Sequence, residues 1–131
     1  MNEAFIVRNR IALSCKGGHV VVHAAEKKAA ALGVPECIAV VDGGGQLPAF
    51  SRMDCARPAA RRRRATAEEG GGDELAAPRI GQASQLDVTA VGGGLPIIYE
   101  GRVLGRVGVS SGTPDEDVVV AEAGIAALLA Q

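Results

Sequence analysis

His19 and His23 stand four residues apart in the stretch "SCKGGHVVVHAAEKKAAAL", with Glu26 and Lys27 following. On a helix that spacing puts them on one face. Two imidazoles at i and i+4 can share a metal ion or meet the iron of a porphyrin. The same pattern also describes a plain solvated face. Two histidines and no nearby cysteine pair do not complete a closed metal site, so no metal is expected. A second set follows the first glycine-rich turn, in "SRMDC". Strand alternation would place Arg52 and Asp54 on one face and Met53 on the other. Arg52 can hold an anionic group and Asp54 can move a proton, or the two can form a structural ion pair. Cys55 is a candidate thiol nucleophile. Arg57 would lower its pKa and Asp54 would raise it. No histidine adjoins it, so the sequence gives no Cys-His pair. Arg61 to Arg64 form the third set, but four consecutive residues wrap around a helix and make no single face.

Elements must position these groups. Ser14 is a helix N-cap and Gly33 the matching stop, with Val21, Ala25 and Leu32 on the buried stripe. "CIAVVD" is a short apolar run, read as a buried strand. "GGG" at 43–45 turns the chain, and Asp42 beside it is a turn-capping residue. "QLPAFSRM" returns as a second strand, with Pro48 at an edge or bulge. "RPAARRRRATAEE" reads as a charged helix, "GGGDELAAPRIGQAS" as loop, and "LDVTAV" as a third strand. "PIIYEGRVLGRVGVSSG" is a hairpin with Glu100-Gly101 at its turn. "TPDE" is a capping box, with Thr113 at N-cap, Pro114 at N1 and Glu116 at N3. Val118, Ala121, Ile125 and Leu128 then mark the apolar stripe of the last helix. Asp115, Glu116 and Asp117 suit the helix dipole but disfavour an anion there. The glycines at 92–94 lack the G-K-[ST] ending of a phosphate loop.

The bulk numbers narrow the classes. With 131 residues, a single domain over 1–131 is expected. There are two Phe, one Tyr and no Trp. The core must therefore use small side chains, and association of subunits would bury more. A formal net charge of −1 argues against general nucleic-acid binding. No apolar run is long enough to span a bilayer, and the N-terminus has no secretory pattern. Three cysteines, Cys15, Cys37 and Cys55, make no C-x-x-C pair, which fits a reducing cytoplasm. The element order gives an α+β domain with an antiparallel sheet covered by helices.

Three blocks, "IAVVDGGGQLPAFSRMD", "GGGLPIIYEGRVLGRVGVSSGTPDED" and "AGIAAL", resemble the GlcG/HbpS-like family in the same order. This is also the haem-binding or haem-degrading domain family, and it includes the C-terminal domain of PduO-type proteins. The resemblance covers roughly residues 11 to 130 and implies a profilin-like fold with a five-stranded antiparallel sheet. It implies dimers or larger assemblies up to octamers. Some members bind haem or act beside cobalamin metabolism, and one is an extracellular redox sensor. Haem in some relatives is held by a histidine from the first helix, which draws interest to His19 and His23. The family usually has Gly where Cys55 stands. Its K-A-x-T-A pattern is "RRATA" here, which puts Arg63 in the lysine's position. Arg63 is the only one of the four arginines with such a counterpart.

Two functions follow from these readings. One is a cytoplasmic binding protein for a tetrapyrrole, haem or corrinoid, or another small ligand, using His19 or His23. The scarcity of aromatics argues against a typical haem pocket. The other is a cofactor-independent isomerase or cyclase. It would carry out tautomerisation, cyclisation or elimination on a small organic acid or carbonyl compound. Arg52 and Arg63 would orient the substrate, and Asp54 and Cys55 would complete the site. A positioned base would contribute roughly 10²–10⁴-fold.

Overall fold

A computed structural model describes residues 2–6, 10–57 and 94–131. The first helix, α1, spans Cys15–Leu32. Ser14 caps it by accepting the Gly17 N–H, and Gly33 ends it with φ 70. Strand β1 spans Cys37–Asp42 and β2 spans Ala49–Arg52. Strands β3 (Leu95–Tyr99) and β4 (Arg102–Ser110) form a hairpin. The last helix, α2, spans Pro114–Leu129. A short 3-10 turn over Glu3–Phe5 precedes α1.

The four described strands form one antiparallel sheet in the order β2-β1-β4-β3. The architecture is therefore α+β, as expected. The strand expected over 86–91, and with it a fifth strand, lies outside the described residues. So does the expected charged helix.

Local chemistry explains the turns. Between β1 and β2, Asp42 Oδ1 accepts the N–H groups of Gly44 and Gln46, each at 2.9 Å. That commits 43–46 to a turn, and Pro48 has no N–H for the ladder. The second strand is accordingly shorter than the 46–53 run suggested. Between β3 and β4, Glu100 and Gly101 have φ values of 49 and 73. Two positive φ values in a two-residue loop match the twist of a hairpin.

The helices cover one face of the sheet. The register puts Ile38 opposite Val109 and Val40 opposite Val107, and all four side chains are fully buried. Helix α1 packs on β1 and β2, α2 packs on β4 and β3, and the helices pack on each other. The α1 stripe differs from expectation at one end: Ala29 is buried, whereas Leu32 is 42 % exposed. The α2 stripe is rotated. Its buried residues are Asp117, Val120, Ala121, Gly124 and Leu128, with Val118 and Ile125 only partly covered. Asp117 thus enters the core and is no solvated first-turn charge. The capping box forms as expected, with both reciprocal bonds.

Gly124 sets the helix-to-helix distance. A Cβ there would lie 2.7 Å from the Val21 carbonyl oxygen and 2.9 Å from Val21 Cγ1. The Gly124→Ala variant should lose about 1–3 kcal/mol, because overpacking against backbone outweighs the ~1 kcal/mol gain in helix propensity. A urea-unfolding midpoint checks this. A stabilised variant would show that the helices can separate freely.

Candidate functional site

The last turns of α1, the 33–35 link and the end of β2 enclose an open groove of about 700 Å³. From α1 come His23, Glu26, Lys27 and Ala30, whose spacing of three and four puts them on one helix face. Val34 and Pro35 add apolar wall, and Ser51, Arg52, Met53 and Asp54 form the opposite side. Each member is positioned by a named device. Gly33 stops α1, so the chain turns directly into β1. The Glu36 backbone carbonyl accepts the Met53 N–H at 3.0 Å, and the Met53 carbonyl accepts the Ala56 N–H at 3.0 Å. Strand β2 ends at Arg52 and the chain bends. Met53 borders the groove beside Arg52 and Asp54. Met53 also packs on the core.

The structure separates the sequence candidates. His23, Arg52 and Asp54 meet in this groove. His19 is exposed on α1, one turn earlier, and is not among the lining residues. Cys55 is exposed and sits beyond the groove's edge. Arg63 lies outside the described residues. Arg57 is occupied elsewhere: its N–H donates to Ser111 Oγ at 2.8 Å and its Nη2 to the Ser111 carbonyl at 2.9 Å. Cys37 is buried, its thiol donates to the Arg57 carbonyl at 3.5 Å, and burial pushes its pKa up. It is an inert thiol. Among the described residues, no group of three or more His, Cys, Asp or Glu could hold a metal ion.

A polar feature that no sequence motif announced adjoins the groove, next to Pro35 and bonded through the backbone to Met53. Glu36 and Asp117 are fully buried, and both accept the N–H of Gly112 at 3.0 Å. The amide before α2, which could have served an anion, is thus already taken by the protein's own carboxyl groups. For Asp117 a signal existed: it shares a stripe with Ala121, Gly124 and Leu128. For Glu36 none did.

The family model described as haem degrading protein HbpS-like matches residues 13–126. The chain belongs to the HbpS-like family. An uncharacterized 15.0 kDa protein from the dhaT-dhaS intergenic region of Citrobacter freundii is 36% identical, over 76% of this chain and 80% of that one. Protein GlcG of Escherichia coli K12 is 32% identical, over 79% of this chain and 85% of its own length. Among solved structures, ORFY of Klebsiella pneumoniae superposes with a TM-score of 0.66 at 27% identity, covering 93% of this chain and 94% of that one. The PduOC–haem complex gives a TM-score of 0.63 at 24% identity, covering 89% and 95%. That last likeness shows the fold.

The resemblance leads one to expect glycine at position 55, and the backbone of Cys55 has φ 70. A side chain in the left-handed region costs about 1–2 kcal/mol. Glycine avoids that strain but adds freedom to the unfolded chain. Cys55→Gly should therefore stabilise the fold by about 0.5–1 kcal/mol, read from the urea midpoint. A loss of stability would mean that the Cys55 side chain makes a contribution exceeding its strain.

Proposed function

We propose that this HbpS-like protein binds haem or a related tetrapyrrole in the groove between α1 and the end of β2, with His23 as the iron ligand. The observation that carries this reading is the meeting of His23 with two cations, Lys27 and Arg52, around an apolar wall of Ala30, Val34, Pro35 and Met53. An imidazole suits iron, and the neighbouring thioether and alkyl groups suit a porphyrin face. Lys27 and Arg52 suit its propionates, as charge-assisted donors do. The groove's size falls within the range of about 300–1,000 Å³ usual for small-ligand sites. Bound haem would supply iron-centred redox chemistry; the chain's own groups bind it, orient it and balance its charge. The family's description as haem degrading, and the haem complex of the PduOC neighbour, support the ligand class. A cytoplasmic location and assembly into dimers or larger rings belong to the same proposal. The three free cysteines support the first of these.

One observation favours a second reading. Arg52 lies in the same groove as the carboxylates of Glu26 and Asp54. A small organic acid held by Arg52 would present its carbon skeleton to these bases. That is the arrangement that cofactor-independent proton transfer needs.

A haem titration of the purified protein decides between them. The wild type should show a saturable Soret shift at one haem per subunit. His23→Ala should abolish it and His19→Ala should leave it intact. Arg52→Ala should weaken binding about fivefold, the loss of ~1 kcal/mol expected for one exposed charge-assisted bond. A missing shift, or one that His23→Ala does not change, overturns the haem reading.

A further inference from the structure

Glu36 stands between Pro35 and the first residue of β1, and its side chain is fully buried. Its Oε2 shares the Gly112 N–H with Asp117 Oδ1, so one donor serves two carboxyl groups. Ionised carboxylates only accept, and two of them cannot bond each other. Among the described residues, no N–H or O–H reaches Glu36 Oε1. One proton on the pair supplies a donor and closes a Glu36–Asp117 hydrogen bond. It also avoids two adjacent negative charges in a buried site.

The surroundings make this pair a joint. A Cβ on Gly112 would lie 2.6 Å from Glu36 Oε1 and 2.9 Å from Asp117 Oδ1, so the carboxyl groups close directly over the backbone. Ser111, the preceding residue, has φ 112, a value that side chains rarely adopt. Its turn is gripped by Arg57 on one side and by the carboxyl pair on the other. The Glu36 carbonyl holds the Met53 N–H on the groove wall. We propose that Glu36 and Asp117 share a single proton and form a pH-sensitive clasp, which fastens the head of α2 to the groove wall and loosens when that proton leaves. The clasp is independent of what the groove binds.

Among the described residues, the charges that bear on Glu36 itself are acidic, and the Gly112 N–H is the one group that favours its ionised form. From α2, Asp117 and Glu116 are acidic and oppose ionisation of Glu36. The Glu116 side chain accepts the Thr113 N–H. From β1, Cys37 is a neutral buried thiol, and Arg52 of β2 bears on it. Arg57 is committed to the Ser111 carbonyl. Burial is the largest cause and the bond to Asp117 the next; together they hold Glu36 up at about 8, against its ordinary 4.5. The folded chain therefore keeps a proton that the unfolded chain releases near 4.5. The clasp's stabilisation is complete below 4.5 and is lost as pH rises to about 8. Cys37 adds a loss of the same sign only above the ordinary thiol value of 9.0.

Urea unfolding of the full chain between about pH 5 and about pH 8 tests this, with the wild type beside Glu36→Gln. A glutamine can donate to Asp117 and accept from Gly112 without titrating. The wild-type folding constant should fall by up to about tenfold per pH unit in the middle of that window, where the unfolded chain has lost the proton and the folded chain still holds it. Glu36→Gln should flatten this profile and be the more stable of the two at about pH 8. A profile that Glu36→Gln reproduces unchanged overturns the clasp. Infrared spectroscopy of the wild type needs no variant to fold. A protonated-carboxyl band should persist at neutral pH, where exposed carboxyl groups have lost theirs. Its absence would also overturn the proposal.

Discussion

A chain with two phenylalanines, one tyrosine and no tryptophan cannot fill a core with rings. Its helices and sheet must instead approach closely enough for small side chains to touch. Gly124 against the Val21 carbonyl is where that constraint is tightest. Ala25, Ala29 and Ala121 are fully buried around it, and the sheet offers Ile38, Val40, Val107 and Val109. Dispersion and burial both depend on contact distance, so a core of alanine and valine holds only if the backbones stay close. The position of α1 is fixed by this packing, and the groove inherits its geometry from α1.

That inheritance explains why the groove has the character it does. Ala29 and Ala30 leave room beside α1 that larger side chains would occupy. The opposite wall is short because β2 stops at Arg52 and bends at Met53. Long polar side chains therefore reach into the groove over a modest apolar wall. The groove thus offers a ligand a few placed groups, His23, Lys27 and Arg52, and no deep apolar cavity.

Features controlled by neighbours in sequence were legible before the structure. The Ser14 cap, the Gly33 stop, the Glu100-Gly101 turn and the Thr113–Glu116 capping box each need only a few adjacent residues. The Asp42 turn did too. What failed was whatever depends on distant packing. The α2 stripe is rotated from the apolar pattern because Asp117 turns inward to meet Gly112 and Glu36. Glu36 and Gly112 are 76 residues apart, and no local pattern links them. At the site, helical periodicity made His19 and His23 equivalent. Only the end of β2, folded back against the last turns of α1, distinguishes them.

The charges of the groove bear on what can hold a ligand there. His23, Lys27 and Arg52 are accompanied by Glu26 and Asp54 on the same rim. Two cations and two carboxylates leave little net field, and exposed charge pairs are screened by salt. A small anion would gain only modest attraction from such a rim. Tight binding therefore requires a term other than long-range charge. In the proposed reading, coordination by His23 would supply one, and contact with Met53, Val34 and Pro35 would supply another. A ligand that is flat, apolar across its middle, anionic at an edge and able to accept an imidazole uses every one of these groups. That match of features, more than any single residue, favours a metallated tetrapyrrole over a simple organic acid.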